Sequence, residues 1–163
     1  MYVGFNNKFL SREQLSNFID IDLNTNVISV DFSNQKECDN DILSNLANNT
    51  QSGAIRSLNF MSTNITYNGI VKLWNSSIIG SLVSDLPTYE RYTGVVVSII
   101  EVEIGNTPCY KQYQHKLFKY PLPLLRDFEI TYGHRCIGEV YNMIGYKQIK
   151  LLDHGKELEN ICI

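Results

Sequence analysis

The sequence predicts an α/β fold, a solenoid of stacked strand–turn–helix units around one shared interior. Two observations carry that prediction. The first is a change of period. In residues 55–74, IRSLNFMSTNITYNGIVKLW, Ile55, Leu58 and Phe60 end in the two-residue alternation of a strand, and Ile70, Leu73 and Trp74 follow at helical spacing. A unit that is extended, turns and returns as a helix cannot bury its own apolar edge, so it needs neighbours. The second is repetition. Phe60, Ile70 and Trp74 stand two, twelve and sixteen places after Leu58. The same offsets from Val30 reach Phe32, Ile42 and Leu46, and from Val3 they reach Phe5, Leu15 and Ile19. With 44% of residues apolar, nine such matches arise by chance about once in a thousand.

The elements follow in order. Residues 2–6 read as a strand with Val3 and Phe5 inward. Ser11 and Gln14 make an S-x-x-Q capping box that opens a helix over 11–19, with Leu15, Phe18 and Ile19 on its apolar face. Residues 20–26 are the return loop, and Val27–Phe32 is the second strand. Asp39 or Asn40 caps a helix over 40–48 with Ile42, Leu43 and Leu46 inward. The run NNTQSG, 48–53, is a second loop. Asn68-Gly69 has two readings, a tight hairpin turn or the opening of a helix. Beyond residue 74 the anchors are Leu82, Val102, Phe128 and Ile149, at less regular spacing. Residues 93–104, TGVVVSIIEVEI, also read as one long buried strand, because they are rich in β-branched residues. Residues 109–124 fit no repeat, and Pro121 and Pro123 work against a helix continuing there.

Bulk properties narrow the function classes. A chain of 163 residues is read as one domain, 1–163. A net charge of −3 argues against nucleic acid or an anionic membrane as partner. No run approaches the about 18 apolar residues of a spanning helix. The opening MYVGFNNKFLSREQ carries no signal peptide, so a cytoplasmic protein is expected, or one delivered into a host cell. Cys38, Cys109, Cys136 and Cys162 are then free thiols rather than bridges.

The motif Ile55-x-x-Leu58-x-Phe60, followed by Thr63 and Ile65, resembles the strand signature of leucine-rich repeat proteins. The subtypes it resembles are the ribonuclease-inhibitor-like and cysteine-containing ones, whose repeats carry a helix. The resemblance is good over 1–74 and looser over 99–104 and 125–152. It implies a parallel curved sheet with helices and loops on the convex side, in about six or seven irregular repeats. In that family an Asn after the strand binds backbone inside the turn. The corresponding positions here are Lys8, Gln35, Thr63, Pro87, Thr107 and Gly133. There is no obvious polar cap at either end, so self-association through uncapped ends is a further expectation. The resemblance implies a binding scaffold whose concave sheet is the contact face.

Strand alternation names that face. One place before the anchors stand Tyr2, Ser29, Ser57, Ser81, Glu101, Asp127 and Gln148; one place after stand Gly4, Asp31, Asn59, Val83, Glu103, Glu129 and Lys150. Glu101 with Glu103, and Asp127 with Glu129, would then be acidic pairs on neighbouring strands, with Asp85 on the rim. Like charges side by side repel, and a cationic ligand relieves the cost. The candidate protein-binding residues are therefore Asp31, Asn59, Asp85, Glu101, Glu103, Asp127 and Glu129, facing a basic protein partner. An ordinary solvated acidic face is the plainer reading of the same residues.

Two chemical readings also fit parts of the sequence. Cys109 with His115, or His134 with Cys136, offers metal-ligand types, but the spacing matches no paired C-x-x-C pattern. Cys38 and Cys136, eight after an anchor, and Cys109, seven after one, instead fall at interior positions of the repeat, where Cys packs as a small apolar group. No metal and no cofactor is expected. Ser62-Thr63 with Glu101 and Glu103 faintly resembles the Ser-Thr and Glu-x-Glu motifs of ADP-ribosyltransferases, with Arg56 or Arg12 as the arginine. Arg56 lies too close to the Ser-Thr pair, and Arg12 lies in a predicted helix. The expectation is a protein-binding scaffold without chemistry, such as an immunity or inhibitor protein covering a basic toxin, or a microbial effector engaging a host protein. The transferase is the alternative.

Overall fold

In each unit the same positions do the same jobs, and that recurrence builds the sheet. The computed structural model describes residues 1–76, 78–80, 96–118 and 145–159. Its elements are β1 (Tyr2–Val3), α1 (Arg12–Asn17) continuing as a wide turn through Phe18–Asp22, β2 (Ser29–Asp31), α2 (Asn40–Asn48), β3 (Ser57–Asn59), α3 (Tyr67–Asn75), β4 (Val96–Glu103), α4 (Pro108–Gln114), β5 (Gly145–Asp153) and β6 (Lys156–Glu157). The fold is mixed α/β. Six strands form one sheet in chain order, and β1 to β5 are mutually parallel, with β6 antiparallel to β5. Parallel neighbours cannot be joined by a hairpin, so each connection must leave the sheet and return. α1, α2, α3 and α4 pack in the same order as the strands they follow.

The register places the predicted anchors opposite one another: Val3 pairs with Val30, Val30 with Leu58, and Leu58 with Val102. The second half departs from expectation. Val102 pairs with Leu151, two residues beyond the anchor expected at Ile149. The two-residue period of a strand explains why both fit, since Ile149 and Leu151 point the same way and both are buried. β3 is hydrogen-bonded directly to β4, and β4 to β5, so no strand stands between the members of either pair. The six or seven repeats expected are thus five parallel strands among the described residues. Leu82 and Phe128 lie outside those residues.

Local chemistry sets the boundaries. Ser11 and Gln14 form the expected capping box, each accepting the other's backbone N–H at 3.1 and 2.8 Å. Asp39, rather than Asn40, caps α2 by accepting from Asp41 and Ile42. Thr107 caps α4, with Pro108 in the first helical position, where its missing N–H costs nothing. The helix therefore runs through 109–114, the first part of the stretch that fitted no repeat. Asn68-Gly69 lies inside α3, not in a hairpin. Gly69 is buried against α2, where a Cβ would strike the Asn40 side chain and approach Leu43 Cδ2 to 3.0 Å. Within the segment 93–104, Val96–Glu103 is one strand, β4; Ile100 and Val102 in it and Ile104 just after it are buried.

The interior lies between sheet and helices. Val30, Leu58, Val102 and Leu151 from the strands and Leu15, Ile42, Leu46, Ile70 and Leu73 from the helices belong to one apolar cluster. Burying each such side chain stabilises by about 1.5–3 kcal/mol. Phe32 stacks on Phe60 with centroids 5.5 Å apart and planes 3° from parallel, and meets Phe5 at 5.7 Å. Phe18 closes the ladder edge-on to Phe5 at 5.2 Å. Cys38 and Cys109 are free and buried, and burial pushes each thiol up to about 12. Cys136 and Cys162 lie outside the described residues.

Candidate binding face and turn rim

Two rows of side chains stand on the sheet face opposite the helices. In the first row Tyr2, Ser29, Ser57, Glu101 and Lys150 are paired in register across the five parallel strands. Tyr2 is 64% exposed. Glu101 is exposed, and Ser29, Ser57 and Lys150 are half-buried. The register corrects the expected charge pattern. Glu101 faces Lys150 across β4 and β5, not an acidic residue of a 127–129 strand. Opposite charges at paired positions attract, by about 0.2–1 kcal/mol. Asp85, Asp127 and Glu129 lie outside the described residues.

The second row does a different job from the one expected. Asp31, Asn59 and Glu103 each follow an anchor, and each accepts a backbone N–H two residues on. Asp31 Oδ1 accepts from Ser33 at 2.8 Å, Asn59 Oδ1 from Met61 at 2.9 Å, and Glu103 Oε2 from Gly105 at 2.9 Å. The strands end because these side chains take the next free amide. Glu103 goes further. Its Oε1 accepts from Gly155 at 2.6 Å, tying the end of β4 to the β5–β6 turn, and the residue is only 8% exposed. It is turned inward as a structural carboxylate, not presented on the open face. Asp31 Oδ2 also accepts from the Tyr2 hydroxyl at 2.9 Å, a bond that holds the phenol pKa above its usual range.

The turns after the strands form a rim. Asn7, Asn34, Ser62 and Asn106, each four places after an anchor, adopt left-handed backbone. Asn tolerates that conformation better than most residues. The next position holds a buried polar residue in the turns after β2, β3 and β4, and the exposed Lys8 in the turn after β1. Gln35 accepts from the Leu10 N–H at 2.8 Å and donates to the Lys8 carbonyl at 2.6 Å. Thr63 donates to the Phe60 carbonyl at 2.7 Å and Thr107 to that of Ile104 at 2.5 Å. Each therefore binds backbone inside the turn. The alternative transferase residues fall in separate places. Thr63 is buried in its turn, Ser62 accepts from Asn106 Nδ2 at 2.8 Å on the rim, and Glu101 stands on the sheet face. Arg56 donates to the carbonyls of Gly53 and Ile55, while Arg12 pairs with Asp39 at 2.5 Å and Asp41 at 3.0 Å.

Two clefts open on the rim and share Ser62. One, of about 270 Å³, is lined by Lys8, Phe9, Asn34 and Lys36 among others. The second, of about 400 Å³, is lined by Asn106, Tyr110, Lys111, Gln114, Asp153 and His154. In it Asp153 contacts His154 Nδ1 at 2.8 Å, and a hydrogen bond from Tyr110 to Asp153 holds that phenol above its usual range. Among the described residues no group of three or more His, Cys, Asp or Glu is placed to hold a metal. Among them, too, no helix is long and apolar enough to cross a membrane.

No family model matches the chain, and no curated protein matches it. Among solved structures, leiomodin-1 actin-binding site 2 aligns over 65% of this chain at 21% identity with a TM-score of 0.47. The chain spans 53% of that structure's length.

Two signals on the page of the sequence would have exposed the turn caps. Asp31, Asn59 and Glu103 are all side-chain acceptors at one offset from an anchor. Asn7, Asn34 and Asn106 recur at another. Both recurrences fall where a strand must end, which is the place for such residues to bond backbone.

Proposed function

We propose that the chain is a leucine-rich-repeat-like solenoid that binds another protein across the open face of its sheet, without chemistry of its own. The supporting observation is the in-register row Tyr2–Ser29–Ser57–Glu101–Lys150. Five neighbouring strands offer an aromatic, two hydroxyls and two charges in a line, outside the apolar interior. An exposed Tyr beside small polar residues is a common composition for a contact surface. The partner is a basic protein segment whose cation meets Glu101, with Asp31 as a second acidic position toward the β1 side. Such charges chiefly set the rate and specificity of association.

The test spares the residues used in turns. Glu101→Lys with Ser57→Arg reverses the centre of the row and leaves Glu103, Asp31 and Asn59 intact. Partners recovered from the source organism on the wild-type chain are expected to be lost on the double variant at unchanged melting temperature. Recovery of the same partners at equal yield on both proteins refutes the face as the contact.

A further inference from the structure

The geometry points to a second binding surface, on the turn rim, that takes an extended acidic peptide segment. It does not depend on the sheet face being a contact. The two rim clefts adjoin at the wall residue Ser62, and together they line a trough along the turns after β1, β2, β3 and β4 and along α4. Cations line it: Lys8 and Lys36 at one end, Lys111 at the other. All three are exposed. The side chains of Lys8 and Lys36 make no hydrogen bond or ion pair with any described residue. Their backbones, by contrast, are fixed. The Lys8 carbonyl accepts from Gln35 Nε2 and the Lys36 carbonyl from Asn64 Nδ2, both at 2.6 Å. Two exposed ammonium groups with no protein partner among the described residues, on backbone fixed by these bonds, present positive charge to an anion in the cleft.

The remaining lining favours peptide over other anions. Phe9 is 78% exposed beside Lys8, a large apolar side chain left in water. Ser62 and Asn106 offer neutral hydrogen-bonding groups midway. The acidic side chain in the trough, Asp153, is occupied by His154 and Tyr110, so it repels an incoming carboxylate less than a free one would. The turns after β1 and β4 are three strand spacings apart, about 14 Å, the reach of about four extended residues. An extended segment with carboxylates near both ends can therefore meet Lys8 and Lys36 with one and Lys111 with the other.

The probe is a fluorescein-labelled peptide of alternating Glu and Ser, about eight residues long, with a Gln-for-Glu control and an oligothymidylate. Anisotropy with the full chain is measured at low and at physiological salt. The Glu peptide is expected to bind and to weaken with salt, and the Gln peptide not to bind. Lys8→Glu with Lys36→Glu should weaken binding by about thirtyfold. Lys8→Arg with Lys36→Arg, which keeps the charge, should stay near wild type. Melting curves establish that each variant folds. Equal binding of the Glu and Gln peptides, or indifference to the charge reversal, overturns the proposal. So does binding of the oligothymidylate without the Glu peptide, which would make the trough a nucleic-acid site.

Discussion

Glu101 and Glu103 are two residues apart on one strand, yet the structure gives them opposite roles. Removing Glu103 tests that contrast. Its carboxylate accepts from Gly105 at 2.9 Å and from Gly155 at 2.6 Å, in a residue that is 8% exposed. A hydrogen bond to a charged acceptor contributes about 1.5–3 kcal/mol, and a buried amide left unpaired costs a similar amount. Gly105 is buried, while Gly155 is exposed and regains water when its partner goes. The two contributions together put Glu103→Ala at about 2–4 kcal/mol of destabilisation. For a chain of this size the melting temperature should fall by about 5–12 °C. Glu103→Gln keeps one acceptor oxygen and should lose about half as much. Glu101→Gln, on the open face, should stay within about 0.5 kcal/mol of wild type. The assay is urea denaturation with thermal melting as a second readout. Equal small losses at both positions would refute the inward placement of Glu103.

Three further outcomes are expected. Phe32→Ala removes the middle of the Phe5–Phe32–Phe60 ladder and should destabilise by about 3–5 kcal/mol in the same denaturation assay. Gly69→Ala should destabilise by about 1–2 kcal/mol although Ala ordinarily favours a helix. The reason is that the Asn40 amide it would strike is locked, accepting from Thr66 N at 2.9 Å and donating to Thr66 Oγ1 at 2.6 Å. Burial holds the thiols of Cys38 and Cys109 protonated up to about 12, against 9.0 for an ordinary cysteine. Their contribution is therefore full below pH 9.0 and lost as pH rises toward 12, so stability should decline across that alkaline window. Mass mapping after alkylation at pH 8 should find these two cysteines labelled only in denaturant.

The first three units were legible because each carries its own strand, turn and helix within a short span. Val3, Val30 and Leu58 recur with apolar followers, and the sheet places them side by side. The fourth and fifth strands were harder. β4 and β5 are longer, eight and nine residues, and alternation alone does not fix which inward residue pairs across. Ile149 and Leu151 satisfy the same pattern, and only the hydrogen bonds to β4 choose Leu151. The proposed binding face was legible as a row but not as chemistry. Period two says that Glu103 leaves the interior side of its strand; it does not say that a longer side chain folds back onto Gly105 and Gly155. The trough on the rim had no sequence signal, since Lys8 and Lys36 come from two separate turns and Lys111 from α4, and only the sheet brings them into line.

Both proposed surfaces require β3 and β4 to be direct neighbours. Scalar couplings across hydrogen bonds, read by solution NMR, test this most directly. Couplings are expected from the Phe60 amide to the Glu103 carbonyl and from the Ser62 amide to the Gly105 carbonyl, bonds of 2.9 and 3.0 Å. If those amides are instead coupled to carbonyls of another strand, then Ser57 and Glu101 do not share a row. Lys36 and Lys111 would then not share a trough either, and both surfaces fail together.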